Sequence, residues 1–260
     1  MATRDTPFAP GTPCWVDLLS SDTDKAQQFY ADVLGWTAEG SGAEFGGYVN
    51  FFSDGHRVAG MMRNDGESGT PDVWNTYLST DNIEATVDLA VKEGGNVIAP
   101  PMVVGDLGSM AILSDPAGAV VGLWQPGQHT GFGKYNEPGS VAWDELHSKD
   151  FDASTSFYAE VFGWRLEPTS DTDDFRYYTG QLNGEPVAGM MDSKRFLPPE
   201  VPSMWTVYFS TTDVDSACER VTAGGGRVIR PPEDTPFGRI AELADPTGAL
   251  FKLHSDISDS

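Results

Sequence analysis

The sequence predicts an α+β protein of four consecutive βαβββ units arranged as two tandem domains. Three observations predict it: an internal repeat that spans the chain, amphipathic helix signals that recur once per unit, and hairpin turns at matched places in both halves. The repeat is decisive and comes first. Pro10-Gly11 returns as Pro138-Gly139, Trp15 as Trp143, Phe29-Tyr30 as Phe157-Tyr158 and Gly35-Trp36 as Gly163-Trp164, all at an offset of 128. Val58-Ala59-Gly60-Met61-Met62 returns as Val187-Ala188-Gly189-Met190-Met191, Trp74 and Tyr77 as Trp205 and Tyr208, and Asp115-Pro116 as Asp245-Pro246. The offset drifts only between 128 and 131, so insertions are confined to loops.

The elements follow in order. Trp15–Leu19 reads as a first strand. A helix follows Ser21-Asp22, with Ala26, Phe29, Tyr30, Val33 and Leu34 on one face and Gly35 as its stop. Tyr48–Phe52 and Arg57–Met62 flank Asp54-Gly55, a strong hairpin signal. In the next unit Trp74–Thr80 is a strand, and a helix from Asn82 turns Ile83, Val87, Ala90 and Val91 inward before Gly94-Gly95. The strands Asn96–Ile98, Ser109–Leu113 and Ala119–Trp124 complete it. The second half repeats the plan, with helices near Ala153–Phe162 and Val214–Thr222 and a hairpin at Asn183-Gly184. The domains are expected at 10–125 and 138–256. The segment 126–137, rich in Gly and without periodicity, is the linker between them. His129 lies in that linker and is given no role.

The 260 residues are enough for two domains with their own cores. A formal charge of −23 repels phosphate backbones and anionic lipid, which excludes nucleic acid and membrane surfaces as partners. No apolar run approaches the length of a membrane span, and Met1–Pro13 carries no apolar leader core. Cys14 and Cys218, the two cysteines, fit a reducing compartment. A cytoplasmic protein is therefore expected.

Paired βαβββ units with Phe-Tyr on the first helix, a Gly-Trp stop, Gly-Gly after the second helix and Asp-Pro-x-Gly before the last strand resemble the glyoxalase / bleomycin-resistance / dioxygenase (vicinal oxygen chelate) superfamily. More narrowly, the chain looks like its two-domain actinobacterial glyoxalase-like group, which includes accessory proteins of aromatic polyketide pathways. The resemblance implies a divalent metal held by His, Glu or Gln on four strands. At the matching positions this chain has Trp15 and Trp143, Asn75 and Thr206, Gly122 and Lys252, and no acid or imidazole within Val58–Met62 or Val187–Met191. Metal chemistry needs imidazole, thiolate or carboxylate donors converging on one ion, so no metal and no cofactor is expected.

Strand alternation then sorts the faces of each cup. The first cup receives Trp15, Asp17, Leu19, Asn75, Tyr77, Ser79, Val120, Gly122 and Trp124. The second receives Trp143, Glu145, His147, Thr206, Tyr208, Ser210, Leu250, Lys252 and His254. Aromatic walls suit flat apolar ligands, unless Trp15 and Trp143 plug a defunct site as core. Burial is expected to raise the carboxyls of Asp17 and Glu145, making them proton-transfer groups beside His147 and His254. His56, after the hairpin turn, rims a cup mouth or is exposed. Arg239 pairs with an acidic ligand or an internal acid, or lies at the surface. No phosphate-binding loop, dinucleotide fingerprint, nucleophile elbow or zinc-protease motif is present.

The expected function is a metal-independent tailoring enzyme for an aromatic polyketide-like small molecule, using acid–base chemistry such as dehydration, cyclisation or isomerisation. Asp17, Glu145, His147 and His254 are its proton-transfer candidates. Trp15, Trp143, Trp124, Asn75, Tyr77, Thr206, Tyr208, Lys252, His56 and Arg239 are the binding candidates. The alternatives are a non-catalytic antibiotic-binding or oxygenase-accessory protein working with a pathway enzyme, and a metal-dependent glyoxalase or dioxygenase.

Overall fold

A computed structural model describes residues 3–42, 45–67 and 69–256 of the protein. The first half forms β1 (Pro13–Ser20), α1 (Thr23–Leu34), β2 (Thr37–Gly40), β3 (Val49–Ser53), β4 (His56–Arg63), β5 (Val73–Ser79), α2 (Ile83–Lys92), β6 (Asn96–Val104), β7 (Gly108–Ser114) and β8 (Val120–Pro126). The second half forms β9 (Val141–Ser148), α3 (Phe151–Phe162), β10 (Arg165–Asp171), β11 (Arg176–Leu182), β12 (Glu185–Asp192), β13 (Met204–Ser210), α4 (Val214–Ala223), β14 (Arg227–Thr235), β15 (Gly238–Ala244) and β16 (Leu250–Ser255). Each half is one eight-stranded sheet, ordered β2-β3-β4-β1-β5-β8-β7-β6 and β10-β11-β12-β9-β13-β16-β15-β14. The α+β class and the tandem βαβββ plan thus hold.

Two modules meet in each sheet along an antiparallel seam, β1 with β5 and β9 with β13. The seam sets Asp17 opposite Asn75 and Glu145 opposite Thr206. Cross-strand partners point to the same face, so the repeat places an acid at the centre of each cup. The hairpin turns Asp54-Gly55 and Asn183-Gly184 have positive φ at both positions, as a tight turn between twisted strands requires.

The four helices lie between the two sheets, so the halves do not bury separate cores. Tyr30 of α1 touches Trp74 and Phe51 of its own half and Phe209 and Phe251 of the other. Its hydroxyl accepts from the Trp74 indole at 2.8 Å and donates to Asp245 at 3.3 Å. In mirror fashion, Ser154 of α3 donates to Asp115 at 2.9 Å. The repeated Pro-Gly and Gly-Trp pairs also answer each other across the halves. The Trp36 indole donates to the Gly139 carbonyl at 2.7 Å, and that of Trp164 to Gly11 at 2.9 Å. Gly11 has φ 84°, and a Cβ there would meet the Phe162 carbonyl oxygen at 2.6 Å, so no other residue fits.

Four details differ from the sequence reading. The strand β2 was not expected, because Thr37–Gly40 is short, polar and exposed at a sheet edge and carries no alternation. The strand β6 continues through Pro100-Pro101 to Val104, which an edge strand with register shifts tolerates. Val91 is half exposed rather than turned into the core. Finally, the linker is packed: Phe132 is buried, and Lys134 donates from a buried position to Ser53, Asp54 and the Pro138 carbonyl at 2.7–3.0 Å.

Candidate functional site

The helices cover the inner face of each sheet, so the two cup faces point outward on opposite sides. In the first cup, Asp17 accepts from Asn75 Nδ2 at 3.1 Å and from the Tyr77 hydroxyl at 3.0 Å. Trp15 donates its indole N–H to the Tyr48 hydroxyl at 2.8 Å, and Tyr48 also lies against Asp17. Burial pushes the Asp17 carboxyl up to about 6, against the pull of those three donors. The linker closes this cup. His129 sits edge-on to Trp15 with centroids 4.4 Å apart and tilted against Trp124 at 5.3 Å, and its carbonyl accepts from the Trp124 indole at 2.8 Å. Phe132 packs on Trp15 at 5.7 Å. Burial pushes the His129 imidazole down to about 4, with Arg57 adding to the effect, so it is neutral at physiological pH.

The second cup carries charge on its floor. Glu145 accepts from the Tyr208 hydroxyl at 2.7 Å and from Lys252 Nζ at 3.2 Å, and Lys252 also donates to Tyr208 at 2.6 Å. His147 Nε2 approaches the same Glu145 oxygen at 2.8 Å, an ion-pair approach without the alignment of a hydrogen bond. Burial works to raise the Glu145 carboxyl. The Lys252 ammonium, His147 and Tyr208 overcome it and hold the group well below the usual carboxylate range. Burial was expected to raise both cup acids; that holds for Asp17 and fails for Glu145, because a cation stands beside only one of them. Trp143 is half-buried and donates to the Tyr177 hydroxyl at 3.2 Å, forming a wall above this floor. Phe175 stacks on Tyr177, and Phe196 packs on Phe175; both phenylalanines are exposed at the rim.

Other candidates are dispersed. Thr206 is buried beside Glu145, its cross-strand neighbour. His254 contacts the Phe237 carbonyl at 2.7 Å through Nε2 and does not join the Glu145 cluster. Arg239 is no cup residue: it pairs with Asp215 on α4 at 2.6 Å and with Asp234 at 2.7 Å. His56 begins β4 half-buried beside linker residue Gly133 and is not among the groups on Asp17. Trp124 joins the plug of the first cup rather than an open wall.

Six contributors were missed: Tyr48, Tyr177, Phe132, His129, Phe175 and Phe196. The two tyrosines were detectable, because they repeat at an offset of 129 and face the glycines of the repeated Ala-Gly-Met-Met motif. A Cβ at Gly60 would overlap the Tyr48 hydroxyl, and one at Gly189 the Tyr177 hydroxyl. Gly122 likewise leaves room for the Tyr77 ring.

Against this geometry, the model of the Glyoxalase/Bleomycin resistance protein/Dioxygenase superfamily matches residues 14–123 and again 141–253. The chain belongs to that superfamily. CFP32 of Mycobacterium tuberculosis is 36% identical over 251 residues, covering 95% of each chain. The anthracycline biosynthesis protein DnrV of Streptomyces peucetius is 36% identical over 264 residues, covering 95% of this chain and 94% of its own. Among solved structures, the Mn(II)-bound glyoxalase of Novosphingobium aromaticivorans superposes with a TM-score of 0.67 at 18% identity, over 96% of this chain and 83% of its own. That likeness is one of fold. A divalent ion of the superfamily does not suit the donors of either cup. The first offers one carboxylate hydrogen-bonded to an amide and phenols. In the second, the Lys252 ammonium already occupies the position beside Glu145. Among the described residues no group of three His, Cys, Asp or Glu side chains is placed to hold a metal ion. No helix among them is long and apolar enough to cross a membrane.

Proposed function

We propose that the second cup binds a flat aromatic polyketide-like molecule and promotes acid–base chemistry on it without a metal. One observation carries this reading: a buried carboxylate–ammonium–phenol–imidazole cluster lies beneath a half-exposed Trp143–Tyr177 wall with apolar Phe175 and Phe196 at its rim. The 36% identity to an anthracycline biosynthesis protein supports the substrate class.

The roles follow from electrostatics. Glu145 is held ionised, so it is not the acid; it fixes Lys252 and flanks His147. His147 is the group suited to move a proton, since a neutral ring nitrogen accepts one and the protonated ring returns it, and its Nε2 lies in the cup beside Glu145. Lys252 presents positive charge to a substrate oxygen. Removal of a proton from carbon next to a carbonyl by His147 sends the electron pair to that oxygen, where Lys252 stabilises it. Return of the proton from His147 to another carbon gives isomerisation. Its transfer to a departing β-hydroxyl, which leaves as water, gives dehydration. Attack of the carbanion on a second carbonyl carbon, whose oxygen then takes the proton, gives cyclisation. Trp143 and Tyr177 orient the ring system by stacking.

A binding-only role, in antibiotic sequestration or beside a partner oxygenase of the pathway, is the second reading. It is favoured by the way Glu145, Lys252 and Tyr208 already satisfy one another. His147→Gln separates the two. A catalyst loses turnover of anthraquinone-type polyketides by about 100-fold or more with affinity kept. A binder shows no turnover in either form and changes affinity alone.

A further inference from the structure

A second cavity lies where the halves meet, apart from both cup floors. It has a volume of about 100 Å³, room for several waters or a small organic group, and opens to solvent beside Asn136 and Pro186. One side is built by Phe8, Phe132 and Tyr135, which pack edge to face at 5.5 and 5.9 Å. Across from them stand Trp143 and Asp144.

Asp144 is the unexplained member. It is 3% exposed, and the only hydrogen bond that reaches it among the described residues comes from the Thr76 hydroxyl of the other half, at 2.7 Å. No cation among the described residues pairs with it. Lys134, the nearest lysine in the linker, is spent on Ser53, Asp54 and Pro138. The repeat makes the acid an addition, because the equivalent first-half position is Val16, buried in the core. A buried carboxyl without a cation is costly and serves no packing purpose that valine would not serve. Aromatic faces and a carboxylate together form the chemistry that recognises an alkylammonium group.

We propose that this cavity is a binding site for a small organic ammonium group, with Asp144 as counter-ion and Phe8, Phe132 and Tyr135 as the aromatic surround. The site is independent of the second-cup reading. Groups facing Asp144 are Thr76 from β5, Cys14 from β1 and Tyr135 from the linker; burial and Asp144 push the Cys14 thiol up, which keeps it neutral. Burial pushes the Asp144 carboxyl up to about 7, so the anion that a cation needs forms only as pH rises through neutrality.

The test is calorimetric titration of the full chain with ethylammonium and tetramethylammonium at pH 8 and pH 5.5, with tert-butanol as an uncharged control. The expected result is saturable one-to-one binding of an ammonium ion at pH 8, at least about tenfold weaker at pH 5.5 and lost in Asp144→Asn. The thermal midpoint of that variant confirms its fold, and Asp144→Glu, measured alongside, retains pH-dependent binding. Three results overturn the proposal: no saturable heat at pH 8, equal affinity for tert-butanol, or unchanged binding in Asp144→Asn.

Discussion

The two cups start from one repeated frame and end with opposite interiors. In the first, Leu19 and Gly122 stand where the second has His147 and Lys252. Without a cation, burial outweighs the pull of Asn75, Tyr77 and Tyr48 on Asp17 and raises it to about 6, and the linker fills the cup with His129 and Phe132. In the second, Lys252 and His147 keep Glu145 ionised, and Trp143 remains half-buried. One cup is closed as core, while its twin carries charge and a half-buried wall. A buried acid therefore says little by itself; the residue two strands away decides whether it is neutral packing or a fixed charge.

The largest effect expected from breaking this contrast is at Lys252. Lys252→Met leaves Glu145 buried without its ammonium partner, with His147 and Tyr208 alone beside it, and should lower stability to urea by about 3 kcal/mol. The double variant with Glu145→Gln should recover most of that loss. If single and double variants are equally unstable, the Lys252–Glu145 pairing does not organise the floor.

Trp15→Ala and Trp143→Ala come next. The first empties a buried site packed by His129 and Phe132 and should cost about 3–5 kcal/mol, with binding of aromatic ligands kept. The second removes a half-buried wall and should cost less stability while abolishing binding. A reversal of these outcomes would place the ligand in the first cup.

The smallest effect separates the cups by the sign of their pH dependence. Asp17 holds its proton more tightly folded than unfolded, so it withdraws stability as pH rises from about 4 to 6. Asp17→Asn should remove that decline, a change on the order of 3 kcal/mol in the pH-dependent part of the curve. Glu145 is depressed, so its contribution is complete above the ordinary carboxylate range and is lost only as pH falls below it. Glu145→Gln should weaken the protein at pH 7 and flatten the acid limb. Chemical denaturation from pH 2 to 8 reads both.

Much of the fold was legible because it is written twice. The pairs Pro-Gly and Gly-Trp recur since each half's tryptophan bonds to the other half's glycine, and that reciprocity constrains both copies. The cup faces were legible from strand alternation, which set Asp17, Tyr77, Glu145, Tyr208 and Lys252 on the right surfaces. The direction of the Glu145 shift was not, since it depends on a contact across β9, β13 and β16 that no local pattern encodes. His129 was out of reach for a related reason: an aperiodic Gly-rich segment gives no sign that it folds back onto Trp15. Arg239 misled because a lone arginine near a strand start looks the same whether it meets a ligand or two surface aspartates.

The most direct test of the account is calorimetric titration of wild type, Trp15→Ala and Trp143→Ala with a panel of amine-free anthraquinones, with and without a metal chelator. The account predicts one saturable site, unaffected by chelator, kept in Trp15→Ala and lost in Trp143→Ala. Binding that survives Trp143→Ala, or disappears with chelator, would contradict it.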